Sequence, residues 1–274
     1  MNPTILSRLS CPVCKQAMTL DPDGRVCKCL AARAHCYDRA KSGYFNFTSP
    51  SDGSGDLKEA VNARREFLGA GYYQPLSDVV NDLLSEVNAE TVVDAGCGEG
   101  YYTNRMGQTR DVLGVDLSRA GIDAAAKGAR RDATRATFLV SSLFTLPVQD
   151  ATFDAVTNLF APCAEEEFSR VLRAGGHLLL VGAGERHLMG LKKVLYDDPY
   201  LNQGRADLPQ DMELLVKKRL SYSITVKGRA HVEALFSMTP YYWKTGKEAK
   251  DKLLTLDTLE TEVDFDLYLF RKGR

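Results

Sequence analysis

Five cysteines and one histidine fall within residues 11–36, a spacing that suits a metal site better than a disulfide framework. Cys11 and Cys14 stand in C-P-V-C, a gap that lets one tight turn aim two thiolates at one ion. His35 is the nearest imidazole. Cys27 and Cys29 leave seven and five residues before it, both longer than a short knuckle gap. Cys36 adjoins His35, and adjacent residues rarely ligate one small ion together. Spacing alone leaves the third thiolate open between Cys27 and Cys29. Zinc suits a mixed thiolate and imidazole set, and it would organise a head too small for its own core.

A second stretch, V-V-D-A-G-C-G-E-G-Y-Y-T (residues 92–103), places Gly96, Gly98 and Gly100 at alternate positions between a strand pattern and a helix pattern. Such a turn brings backbone close to a ligand at the carboxyl end of a strand. The dinucleotide fingerprint has a different spacing, and here two acids, Asp94 and Glu99, stand where they would repel a pyrophosphate. They tolerate a cation, and S-adenosylmethionine (SAM) carries both an ammonium and a sulfonium. Asp116 ends the next strand, placed to take a ribose diol.

Around this turn, strand patterns at 91–96, 111–116, 136–142, 153–160 and 177–184 alternate with helix patterns at 100–107, 118–130 and 164–176. Helix patterns at 56–71 and 75–88 precede them, and long strands at 212–226 and 261–272 follow. This order predicts an α/β fold, a doubly wound, mostly parallel sheet with antiparallel edge pairing. The run T-S-P-S-D-G-S-G (residues 48–55) reads as a linker. It divides a small head, 1–48, from a larger body, 49–274.

Of the 274 residues, 44% are hydrophobic and 26% charged, as in an ordinary globular chain. A net charge of −1 excludes a polycation, but the head is +4 and the remainder −5. A basic head on an acidic body favours an anionic partner for the head. No segment reaches membrane-span length and the N-terminus lacks a sustained apolar run. The expected location is cytoplasmic, where clustered thiols stay reduced and hold metal.

C-P-V-C, H-C-Y-D-R-A-K-S-G-Y-F-N-F, A-R-R-E-F-L-G-A-G-Y-Y-Q-P-L, D-A-G-C-G-E-G-Y-Y-T, F-A-P-C and G-E-R-H-L-M-G-L-K occur in this order between Cys11 and about Trp243. Together they resemble the bacterial 23S rRNA (guanine-N1)-methyltransferases. The resemblance implies an N-terminal zinc module and a class I SAM-dependent methyltransferase domain with a seven-stranded sheet. It implies Cys11, Cys14, Cys27 and His35 as zinc ligands, with Cys29 the rival for the third place because this chain has extra residues there. It implies cofactor contacts at Tyr73, Gly98, Glu99 and His187, beside Asp94, Gly96, Gly100 and Asp116 of the turn.

The implied reaction transfers methyl from SAM to N1 of a guanine in 23S rRNA. The implied partners are an rRNA hairpin gripped by Lys15, Arg25, Lys28, Arg33, Arg39 and Lys41, and a second subunit in a homodimer. Tyr37, Tyr44 and Phe45 either stack on bases or pack under the linker. Arg64 and Arg65 meet phosphates or pair within a helix. Asn158 and Pro162 flank the loop expected beside the methyl group, and Cys163 is expected to pack. No residue is singled out as the base. Two other readings compete: a small-molecule methyltransferase with a structural zinc head, and a non-catalytic SAM-binding RNA-assembly protein.

Overall fold

The computed structural model describes residues 1–48 and 55–273. The expected linker lies mostly outside them. The head opens with α1 (Pro3–Leu6) and forms a three-stranded antiparallel sheet from β1 (Met18–Leu20), β2 (Val26–Cys29) and β3 (Cys36–Asp38). It ends in β4 (Phe45–Asn46), which leaves the head and pairs in parallel with a strand of the body.

The body begins with α2 (Lys58–Gly69) and α3 (Gln74–Glu86). Next come β5 (Thr91–Ala95), α4 (Tyr101–Met106), β6 (Asp111–Asp116), α5 (Arg119–Arg131) and β7 (Ala136–Val140). The second half runs β8 (Phe153–Leu159), α6 (Glu165–Val171), β9 (Leu172–Ala183) and α7 (Met189–Leu195). A long hairpin-like pair closes the chain, β10 (Met212–Lys227) and β11 (Thr258–Lys272), with α8 (Arg229–Ser237), α9 (Tyr241–Lys244) and α10 (Lys247–Leu254) between them.

The large sheet has eight strands in the order β10-β11-β9-β8-β5-β6-β7-β4. Seven were expected; the eighth is β4, donated by the head. β4 through β9 are parallel neighbours and β11 runs antiparallel to β9, as the two late strands predicted. β5 is buried along its whole length, the pattern of a parallel strand covered on both faces. The helix expected over 164–176 ends at Val171, because Leu172 enters β9 and pairs with Phe153. The three helices between β10 and β11 were not foreseen.

Head and body share one core. Ile5, Leu9, Phe45 and Phe47 are buried among Val93, Leu113, Leu139 and Val148 of the body. Phe45 and Phe47 are therefore packing residues, and Tyr37 lies against Phe47 with ring centroids 4.4 Å apart. Asn2 caps α1 and its amide also donates to Asp111 at 2.6 Å.

Candidate cofactor and metal sites

β5 ends at Ala95 and the chain bends through Gly96, Gly98 and Gly100, with φ of 84°, 53° and 79°. Only glycine holds these left-handed angles without strain. A Cβ on Gly96 would lie 2.5 Å from the Ala161 Cβ, so its absence lets the turn approach the loop after β8. A Cβ on Gly100 would lie 2.5 Å from that of Ala125, so this glycine serves the packing of α4 on α5. Ser118 caps α5, its hydroxyl accepting from the Gly121 amide at 3.0 Å, as the sequence predicted.

The turn borders a hollow of about 600 Å³, within the range of small-ligand sites. Tyr73, Asp94, Gly96, Gly98, Glu99, Asp116 and His187 line it; Gly100 stands one step behind. Asp116 accepts from the Gly98 amide at 3.0 Å and the Ser118 amide at 2.7 Å, which fixes its carboxylate at the end of β6. Asp94 is also held from within the body. Its oxygens accept from Thr103 at 2.5 Å and Thr157 at 2.9 Å, so it bolts β5 to α4 and β8 beneath the turn. Burial pushes its pKa up to about 6.

Tyr73 and His187 come from distant elements and meet in the buried wall, Oη to Nε2 3.2 Å. His187 Nδ1 accepts from the Asp264 amide at 3.2 Å, which places the ring proton on Nε2. That proton is donated to Tyr73 Oη, leaving the tyrosine hydrogen free to serve a ligand. Burial holds the imidazole neutral, its pKa lowered to about 4.

Arg64 reaches from α2 into the cavity wall, 2.7 Å from Asp56 and 3.5 Å from Glu99. It is thus paired within the protein, while Arg65 is exposed. Burial raises the Glu99 pKa against the pull of Arg64. Sequence reasoning also missed Tyr102, which lines the hollow; among the described residues its hydroxyl is the buried side-chain polar atom without a partner. No pattern marks it, since one tyrosine in a helix resembles another.

The opposite wall is the loop after β8. Asn158 donates to Ala95 O at 3.0 Å and Pro162 O at 3.1 Å. Arg205 donates to Asn158 Oδ1 at 2.7 Å and Ala161 O at 2.8 Å, and Asp207 accepts from the Cys163 amide. Asn158 therefore braces the loop, and Arg205 locks it from a segment that carries no motif. Burial pushes the Cys163 thiol up to about 11, which keeps it protonated and unsuited to nucleophilic attack.

The donor set fits SAM. Four carboxylates (Asp56, Asp94, Glu99, Asp116) line the hollow against one guanidinium and no lysine. Such a wall disfavours a pyrophosphate and accepts a sulfonium and an ammonium.

In the head, Cys11, Cys14, Cys29 and His35 bring their ligand atoms within 4.8 Å of one another. Cys27, the third ligand the resemblance implied, stands outside this set, and Cys29, its rival, stands inside it. Cys27 and Cys29 share one face of β2, roughly 7 Å apart along the strand. Only Cys29 lies where the chain turns back to His35, whose carbonyl accepts from the Cys29 amide at 3.1 Å. Cys27 is instead buried in the core, which pushes its thiol up to about 12.

The His35 Nδ1 atom is 3.6 Å from Cys11 Sγ and 3.5 Å from Cys29 Sγ. Bonds of about 2.3 and 2.1 Å at a tetrahedral angle give an S···N edge of about 3.6 Å, so these residues fit one zinc ion. The His35 amide also donates to Cys29 Sγ at 3.1 Å and favours its thiolate.

Comparison with known proteins agrees with this geometry. A family described as "Methyltransferase domain" matches residues 92–176. A solved structure of a candidate sarcosine dimethylglycine methyltransferase from Galdieria sulphuraria superposes with a TM-score of 0.51 at 11% identity, covering 78% of this chain and 98% of that one. Fold and site define a class I SAM-dependent methyltransferase.

A protein of Micromonospora griseorubida named as a candidate 23S rRNA (guanine-N1)-methyltransferase is 32% identical over 89% of this chain and 90% of its own. The 23S rRNA (guanine(748)-N1)-methyltransferase of Streptomyces fradiae is 31% identical over 71% of this chain and 70% of its own. The chain belongs to the 23S rRNA (guanine-N1)-methyltransferase family.

Proposed function

We propose that this protein methylates N1 of a guanine in 23S rRNA, with SAM as methyl donor. One observation carries the reading: the acid-lined cavity at the glycine turn occurs in a chain that matches named guanine-N1 methyltransferases through head and body alike. When bound, SAM supplies an already activated methyl group, so the protein's task is alignment.

Asp116 would take the ribose hydroxyls, and the Tyr73 hydroxyl, oriented by His187, would face the amino-acid end. The braced loop at 160–163 would form the acceptor side. Guanine N1 lies on the Watson–Crick edge, so the base must be unpaired or turned out of its helix. It must also lose its N1 proton as the methyl group arrives.

The basic head supports an rRNA hairpin as the partner, held through phosphates and shape. Zinc at Cys11, Cys14, Cys29 and His35 would keep that head rigid. The same reading places the protein in the cytoplasm, as a homodimer. Among the described residues, no helix is long and apolar enough to cross a membrane.

The test is incubation of the purified protein with methyl-labelled SAM and unmodified 23S rRNA transcripts, with a metabolite extract in parallel. Label at one guanine N1 in the RNA is expected. Label confined to small molecules would defeat the reading.

A further inference from the structure

The chain has one tryptophan, Trp243, and it is the most exposed large apolar side chain among the described residues, at 76%. Its surroundings hold it there. α9 is a single turn on which successive side chains diverge. Tyr241 faces inward, lining the cofactor hollow and donating to Asn202 Oδ1 at 3.3 Å. Tyr242 packs sideways on Phe236, ring centroids 5.3 Å apart. Trp243 meets Tyr242 in a T-shaped pair, centroids 5.1 Å apart at 89°, and is otherwise turned to solvent.

Met238, Thr239 and Pro240 also line the hollow. Two residues of chain span at most about 7 Å, so Trp243 springs from the same stretch of backbone that walls the hollow through Tyr241.

We propose that Trp243 is a stacking platform for an unpaired nucleotide flanking the target guanine. The proposal rests on the rRNA reading above. Lys244, Lys247, Lys250 and Lys252 follow within nine residues, against Glu248 and Asp251. Among the described residues none of these lysines is in an ion pair. A phosphate backbone beside a stacked base complements this patch. A two-fold dimer centred on Trp243 would instead set the lysines of one copy against those of the other.

A lone tryptophan is its own reporter. The full-length protein is titrated with transcribed 23S rRNA and with the shortest fragment of it that accepts labelled methyl, while indole fluorescence is followed. Quenching that saturates with RNA binding is expected, and SAM alone should leave the emission unchanged. Trp243→Ala should raise KM for the RNA roughly tenfold with SAM affinity unchanged, and Trp243→Phe should recover most of the loss.

Transcripts that bind and accept methyl without quenching would overturn the stacking and leave the methyltransferase reading intact. Emission that follows protein concentration and ignores RNA would also overturn it, in favour of a contact between copies. Transcripts that neither bind nor accept methyl would defeat both ideas.

Discussion

Replacing Cys29 and Cys27 in turn separates two thiols that differ by two positions. Structural zinc binds with apparent energies of about 10–16 kcal/mol shared over four ligands, so one lost thiolate removes about 3 kcal/mol, over a hundredfold in affinity. Cys29→Ala also strips the His35 amide of the sulfur it donates to at 3.1 Å. Cys27→Ala removes only a buried apolar sulfur and should cost about 1 kcal/mol. Each variant is dialysed against a chelator of intermediate strength and its zinc is counted by mass spectrometry. One ion per chain is expected for wild type and Cys27→Ala, and almost none for Cys29→Ala. The melting temperature should fall by roughly 5–10 °C in Cys29→Ala and far less in Cys27→Ala. Zinc retained by Cys29→Ala and lost from Cys27→Ala would refute the assignment.

Gly96→Ala should abolish SAM binding measured by calorimetry while the protein still folds, because its Cβ meets Ala161 at 2.5 Å at a left-handed φ of 84°. Cys163→Ala should keep kcat within about twofold, since a thiol with its pKa near 11 is protonated in assay buffer. Stability between pH 4 and 6.5 should show two opposed contributions. Asp94 has its folded pKa raised to about 6, so its contribution is full below its unfolded value near 4 and is lost as pH rises to 6. His187 has its folded pKa lowered to about 4, so its contribution is present above 6.5 and is lost as pH falls to 4. Each amounts to about 3 kcal/mol. Asp94→Asn should therefore steepen the loss of stability in acid, and His187→Gln should reverse the slope, both read from melting curves across this range.

Much of the catalytic body was legible because its signals are local. β5 and β6 carry short apolar runs bounded by polar residues, the glycine turn needs left-handed backbone, and Ser118 is a recognisable cap. Tyr73 and His187 were reachable only through the resemblance, since their meeting depends on elements 114 residues apart. Spacing left Cys27 and Cys29 both open because counting residues does not give the phase of β2 or the point where it turns back, and the resemblance favoured Cys27. The bonds from Thr103 and Thr157 to Asp94 join separate elements and leave no local mark in the sequence. Arg205 and the helices between β10 and β11 carry no motif; their order comes from packing.

β4 has a wider consequence. A strand of the head that completes the sheet of the body cannot be detached without baring the edge at Leu139 and Val140. The head is thus no interchangeable cartridge: grafting a relative's version would have to match this register as well as its RNA. New target preference is more accessible through the knuckle tips around Val13 and Leu30, which point outward, than through wholesale exchange. Stripping the metal should also be felt in the catalytic half, since both halves melt from one shared interior.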